Sequence, residues 1–121
     1  MIYVADWGHH RIVVFDSSGA RVGDFGGFGK NDPTRIGDST RFVFPNRIAI
    51  IEPENGEPLL FVTDWYGVHW LDTQGSYFGS IHILPEGSAA GVKVDLEGQN
   101  FKLRVANRST HKVITFLSRP I

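Results

Sequence analysis

The sequence predicts an all-β fold of short antiparallel strands, and three observations carry that expectation. The apolar stretches are short, rich in Val, Ile and Phe and partly alternating, the pattern of strands that bury a sheet face. Turn sequences such as Asp16-Ser17-Ser18-Gly19 separate them, and no stretch carries the period of a long helix. One phrase also recurs along the chain, so the architecture is repetitive.

Taken in order, ten strands are expected. The first unit holds strands at about 2 to 6, 11 to 16 and 20 to 25. A second holds four, at about 46 to 51, 59 to 64, 67 to 72 and 76 to 82, and a third holds strands at about 90 to 95, 100 to 106 and 111 to 117. The recurring phrase runs from Tyr3-Val4-Ala5-Asp6 to Phe15 and again from Arg104-Val105-Ala106-Asn107 to Phe116, without a gap, at an offset of 101 residues. Leu60-Phe61-Val62-Thr63-Asp64-Trp65 opens a third copy whose turn is two residues shorter, which sets the period near 50. The first two copies along the chain leave by the same exit, Asp16-Ser17-Ser18-Gly19 and Asp72-Thr73-Gln74-Gly75. In such a turn Asp bonds its own backbone and Gly takes positive φ.

The phrase from Val4 to Phe15, with Asp6, His10 and Arg11 in their places and Gly19 and Phe25-Gly26 following, resembles the NHL repeat. Pro45-Asn46-Arg47-Ile48-Ala49-Ile50 is similar to the opening strand of the next such repeat, although the middle copy lacks the His-Arg pair. The resemblance covers nearly the whole chain. It implies an incomplete β-propeller over 1–121, with blades of four antiparallel strands in units at about 1–26, 42–82 and 88–118. About two and a half blades cannot close a ring, so the expectation is a piece of a longer propeller of about six blades, partnered by the rest of its parent chain.

Within that family, the run from Gly26 through Lys30-Asn31 to Phe44-Pro45-Asn46-Arg47 is most similar to the TRIM-NHL group, whose propellers bind RNA or proteins. This resemblance implies a non-enzymatic interaction module, with no cofactor. Phe61-Val62-Thr63-Asp64-Trp65 is similar to the YWTD propellers of lipoprotein receptors, which would make the chain an extracellular structural segment, although no cysteine-rich module accompanies it. Amidating-lyase-like or lactonase-like propeller enzymes also resemble NHL proteins. They hold metal on the central axis with ligands from several blades, which fewer than three blades cannot surround.

In a blade, the loop joining the second and third strands and the long loop to the next blade emerge on one face, where partners usually bind. Asp6 and Asn107 are expected to close the turn after the second strand by accepting backbone N–H groups. Arg11 and Lys112, at the start of the third strand, either bridge to a neighbouring turn or face solvent. The expected binding face also carries Lys30, Arg35, Arg41, Arg47 and Arg108, against Asp6, Asp32, Asp38, Asp64 and Glu86. The opposite loops carry Asp16, Glu52, Glu54, Glu57, Asp72, Asp95 and Glu97 with no Lys or Arg. Trp7, Trp65, Tyr66 and Phe42 accompany the cations, a combination that neutralises phosphates and stacks bases of single-stranded RNA. The alternative is that the Trp residues pack between blades and the charges are solvated. Candidate contacts to RNA or a protein are therefore Trp7, His9, His10, Arg11, Lys30, Arg41, Arg47, Trp65, Tyr66, Arg108 and Lys112.

Composition narrows the classes further. A formal charge of -1 with 21% charged residues gives no global sign of a nucleic-acid partner. With no cysteine there is no disulfide framework or thiolate metal site. Neither a secretion signal nor a stretch long enough to cross a membrane is present, so a cytoplasmic protein without membrane contact is expected. The five histidines include no His-x-His or His-x3-His pair, and no metal site is expected. Phe25-Gly26-Gly27-Phe28-Gly29-Lys30 lacks the Lys-Ser/Thr ending of a phosphate loop and reads as a strand-ending loop. No Gly-x-Ser-x-Gly elbow exists, and no catalytic residues are expected.

Overall fold

A computed structural model describes residues 1–54, 56–98 and 100–117. It contains ten strands: β1 (Ile2–Asp6), β2 (Arg11–Phe15), β3 (Arg21–Gly26), β4 (Arg47–Ile51), β5 (Leu59–Thr63), β6 (Gly67–Leu71), β7 (Tyr77–His82), β8 (Ala89–Glu97), β9 (Asn100–Asn107) and β10 (Lys112–Leu117). The ten expected strands are all present, each within two residues of its expected bounds. The last residue of the expected third unit, 118, lies outside the described residues. Strands β1 to β3 form sheet I, β4 to β7 form sheet II and β8 to β10 form sheet III. Every pairing joins sequence neighbours antiparallel, so each sheet is a simple meander.

Sheet II lies between the other two, and the sequence of β5 shows why. Its run Leu59-Leu60-Phe61-Val62 is apolar without alternation, as a strand buried on both faces must be. Leu60 and Val62 pack towards Ile12, Tyr3 and Phe25 of sheet I, with Phe42 and Leu71. Phe61 points the other way, into Phe101, Leu103 and Val105 of sheet III, with its ring 4.9 Å from that of Phe101. Full burial of one such side chain contributes about 1.5–3 kcal/mol. Strand β9 buries one face only and alternates strictly: Phe101, Leu103, Val105 and Asn107 inward, Lys102, Arg104 and Ala106 less so.

The repeated exit forms the same turn twice. Asp16 Oδ1 accepts the N–H of Ser18 and Ala20, at 2.9 and 3.0 Å, and Asp72 Oδ1 accepts those of Gln74 and Ser76, both at 2.9 Å. Gly19 and Gly75 complete the turns at φ 89° and 88°, where a Cβ would be strained. One residue earlier in each, the strand register slips, between Val14 and Phe15 and between Trp70 and Leu71. Gly67 is required for another reason. A Cβ there would fall 2.1 Å from the carbonyl oxygen of Ile81.

The connection from β3 to β4, residues 27–46, was expected to lie wholly on the binding face. Instead it forms a strap. Its neck is closed by a bridge between Phe28 and Phe42 and by Asn31, whose amide exchanges hydrogen bonds of 2.7 and 2.9 Å with the backbone of Arg41. Its tip runs down the flank of β7, where Gly37 and Tyr77 N–H groups donate across at 2.7 Å and Thr40 N–H donates to Gly75 at 2.8 Å. The start of β7, the outer strand of sheet II, is thereby shielded, which suits an edge that would otherwise offer free backbone groups. Arg35 and Asp38 go with the tip, paired at 2.8 Å, rather than with the face expected to bind a partner.

Candidate functional site

The meander places five connections at one end of the sheets: residues 7–10, both ends of the strap, 64–66, 83–88 and 108–111. Hydrogen bonds lace them together. Trp65 N–H donates to Val43, Gly87 N–H to Trp65 and Arg108 N–H to Ser88, at 2.8, 2.7 and 2.9 Å. Asp64 Oδ2 accepts the N–H of Val43, and its Oδ1 those of Tyr66 and Gly67.

An aromatic cluster sits over the first two sheets. After Asp6 the chain makes a short 3-10 turn, Trp7–His9, closed by His10 in the left-handed conformation. Phe44, from the far end of the strap, is left-handed as well, at φ 53°. This brings the Phe44 N–H to His10 Nδ1 at 3.0 Å and stacks the Phe44 ring on Trp7 with centroids 4.3 Å apart. His10 also meets the Phe28 ring edge-on at 4.9 Å. Trp7 and Phe28 remain 58% and 69% exposed, a large apolar surface held open to solvent. Beside it the Arg41 guanidinium lies over the glycine-rich segment, where a Cβ on Gly27 would fall 2.8 Å from Nη1.

A second group surrounds Tyr66. Lys30 Nζ stands 4.9 Å over its ring, and His82 meets that ring at 5.8 Å. Trp65 is 46% exposed, and its Nε1 donates to Glu86 at 3.3 Å. Arg47 is exposed at the start of β4, and Arg108 and Lys112 at the sheet III end.

The candidates therefore divide. Trp7 and His10 join with Phe28 and Phe44, and Lys30, Trp65 and Tyr66 form the second group. Arg11 is committed to Asp6 at 2.8 Å and approaches Asp24 at 3.9 Å. His9 Nδ1 lies 3.0 Å from the same Asp6. These two partners, His9 before Arg11, hold the Asp6 carboxyl below the usual carboxylate range. Lys30, Arg41, Arg47 and Lys112 make no ion pair among the described residues.

Three expectations need correction. Phe42 is fully buried, filling the core between sheets I and II, and offers no stacking surface. Asp6 does not close its turn on backbone donors; its side chain is spent on His9 and Arg11. Asp95 and Glu97 belong to β8 rather than to a loop, beside Arg104 and Lys102 at 3.1 and 3.5 Å, so that end is not free of cations. Phe28 and Phe44 were missed as members of the aromatic cluster. The available signal was bulky apolar side chains isolated in glycine-rich and proline-containing loop sequence.

Among the described residues, no three His, Asp or Glu side chains converge as a metal site would require. None of the described helices is long and apolar enough to cross a membrane. No protein-family model matches the chain, and no curated protein matches it.

Proposed function

We propose that this chain is an interaction module of NHL-type propeller blades that grips single-stranded RNA on its loop end. Three meander sheets stacked face to face, with matching turns and register slips in the first two, support the blade reading. The observation that carries the binding reading is the platform of exposed Trp7 and Phe28 with half-buried Phe44, next to Arg41, which makes no ion pair among the described residues. Single strands are held by flat aromatic surfaces for bases and cations for phosphates, largely without regard to sequence. Lys30 over Tyr66, with Trp65 alongside, supplies a second cation and aromatic pair on the same end.

A protein partner is the second reading, favoured by one observation. Acidic Asp6 and Glu86 are interleaved with the aromatics, and Trp with Arg in a mixed-charge surface is the composition of a protein hot spot. Titrating the chain with a random single-stranded RNA pool at two salt concentrations separates them. Neutralising three phosphates gives a slope near -2 in log affinity against log salt, about a 16-fold weakening from roughly 50 to 200 mM. Absence of binding to the pool removes the RNA reading, and the partner is then a protein.

A further inference from the structure

Sheet II carries a second constellation that the loop-end platform does not use. His69 is almost wholly buried in β6, and its Nδ1 lies 2.5 Å from Ser80 Oγ on the neighbouring β7. Its Nε2 lies 2.8 Å from Asp64 Oδ1, whose side chain is fully buried. That approach is short but does not meet the geometry of a hydrogen bond, so Nε2 has no hydrogen-bond partner among the described residues. A carboxylate at that distance favours the ring proton on Nε2 and leaves Nδ1 free to accept. Behind Ser80, Tyr77 OH lies 2.7 Å from Oγ and can donate to it while Oγ donates to Nδ1. Ser80 itself is exposed and opens into a cavity of about 460 Å³ between the strap and β6 and β7. The cavity walls are mostly apolar, with Ile36, Trp70, Phe78 and Ile81 among them, and Lys30 and Asn31 line it too.

We propose that Ser80 is an acyl-accepting nucleophile, with His69 as its general base, for small carboxylic esters with an apolar acyl group. The inference stands apart from the RNA reading and does not rest on it. A serine beside a base, with a third group fixing that base, is the arrangement that makes a hydroxyl reactive, recognised by geometry rather than by chain order. Ser80 Oγ bonds to the ester carbonyl carbon as its proton passes to His69 Nδ1. The tetrahedral oxyanion is within reach of Asn31, whose Nδ2 lies 3.4 Å from Nδ1. One N–H of that amide is spent on the Arg41 carbonyl and the other faces His69 Nδ1, which can no longer accept it once protonated, so that N–H then turns to the oxyanion. Collapse breaks the ester C–O bond, and the departing alcohol takes the proton from Nδ1. Water then attacks the acyl carbon, gives a proton to Nδ1, and Ser80 leaves with that proton as the carboxylic acid forms. Asp64 serves as a positioning residue. A cavity of this size and lining suits a short acyl chain.

The test treats the full chain with a fluorophosphonate probe and with p-nitrophenyl butyrate. The expected result is one phosphonyl adduct, located on the Ser80 peptide by mass spectrometry, and a p-nitrophenol burst of about one per chain, as an acyl-enzyme gives. Both are abolished by Ser80→Ala, which removes an exposed hydroxyl and leaves the fold intact by circular dichroism. His69→Gln slows the burst by roughly 10²- to 10⁴-fold. No adduct at Ser80, or equal labelling of Ser80→Ala, overturns the proposal. So does a folded His69→Gln that reacts at the wild-type rate. Should His69→Gln fail to fold, the Ser80→Ala comparison alone decides.

Discussion

The turns that begin at Asp6 and at Asn107 carry the same phrase, 101 residues apart, and differ in what their side chains hold. Their backbones agree: each closes on a left-handed histidine, His10 at φ 53° and His111 at φ 56°, directly before the next strand. Their side chains do not. Asn107 is buried, accepts the N–H of Ser109 and Thr110 at 3.0 and 3.2 Å, and donates to Leu84 at 3.0 Å, tying its turn to the connection before β8. Asp6, a quarter exposed, reaches sideways to His9 and Arg11 and leaves the turn free to lift Trp7 out over Phe44. What the repeat conserves within this chain is a path of the backbone. The first turn spends that path on a surface, the third on internal bracing.

The comparison breaks most readily at Asn107. Asn107→Ala removes an acceptor for two backbone donors and a donor to a third group in a buried position. The expected loss is about 2 kcal/mol of unfolding free energy, measured as a lower urea midpoint at unchanged slope. Asp6→Ala should move the midpoint less, because its partners stay in water. Equal shifts would mean that the two turns brace the fold alike.

Trp7→Ala sharpens the functional half. The residue stacks on Phe44 yet stays largely exposed, so stability should hardly change while single-stranded RNA affinity falls about 5- to 150-fold, the worth of one stacked base at about 1–3 kcal/mol. Arg108→Ala, in the third turn, should cost less and reduce the salt slope by about 1. Fluorescence anisotropy against one labelled oligonucleotide compares the two variants directly. A larger loss at Arg108 would put the contact at the other end of the loop face.

These contrasts also show what the sequence discloses. The strand positions and the two Asp-x-x-Gly exits were legible because they rest on local rules: apolar runs of strand length, an Asp that bonds its own turn, a Gly at positive φ. The shared turn path after Asp6 and Asn107 was visible in the ungapped alignment. The strap was not, because its pairing with Tyr77 and Gly75 links residues about forty positions apart and leaves no period in the sequence. Phe42 and Phe44 illustrate the limit at the candidate site. Two residues apart on the same strap, one is sealed into the core and the other stacks under Trp7, a choice made by the left-handed turn at Phe44 and not by composition. His69 and Ser80 were equally hidden, since only the β6 and β7 register puts them side by side.

The smallest expected effect is also the most selective for the first turn. The folded state lowers the Asp6 pKa, chiefly through His9 and then Arg11. A carboxylate depressed in this way stabilises its turn fully above the ordinary carboxylate range, and that contribution disappears as pH falls through the lower, folded value. Asn107 has no proton to gain. Amide shifts of Trp7 to Arg11 followed from about pH 6 to about pH 2 should therefore titrate together, in advance of any change at Ser109 and Thr110. If both turns loosened at the same pH, the cause would be global unfolding, and the Asp6 bridge would not be what holds the aromatic platform in place.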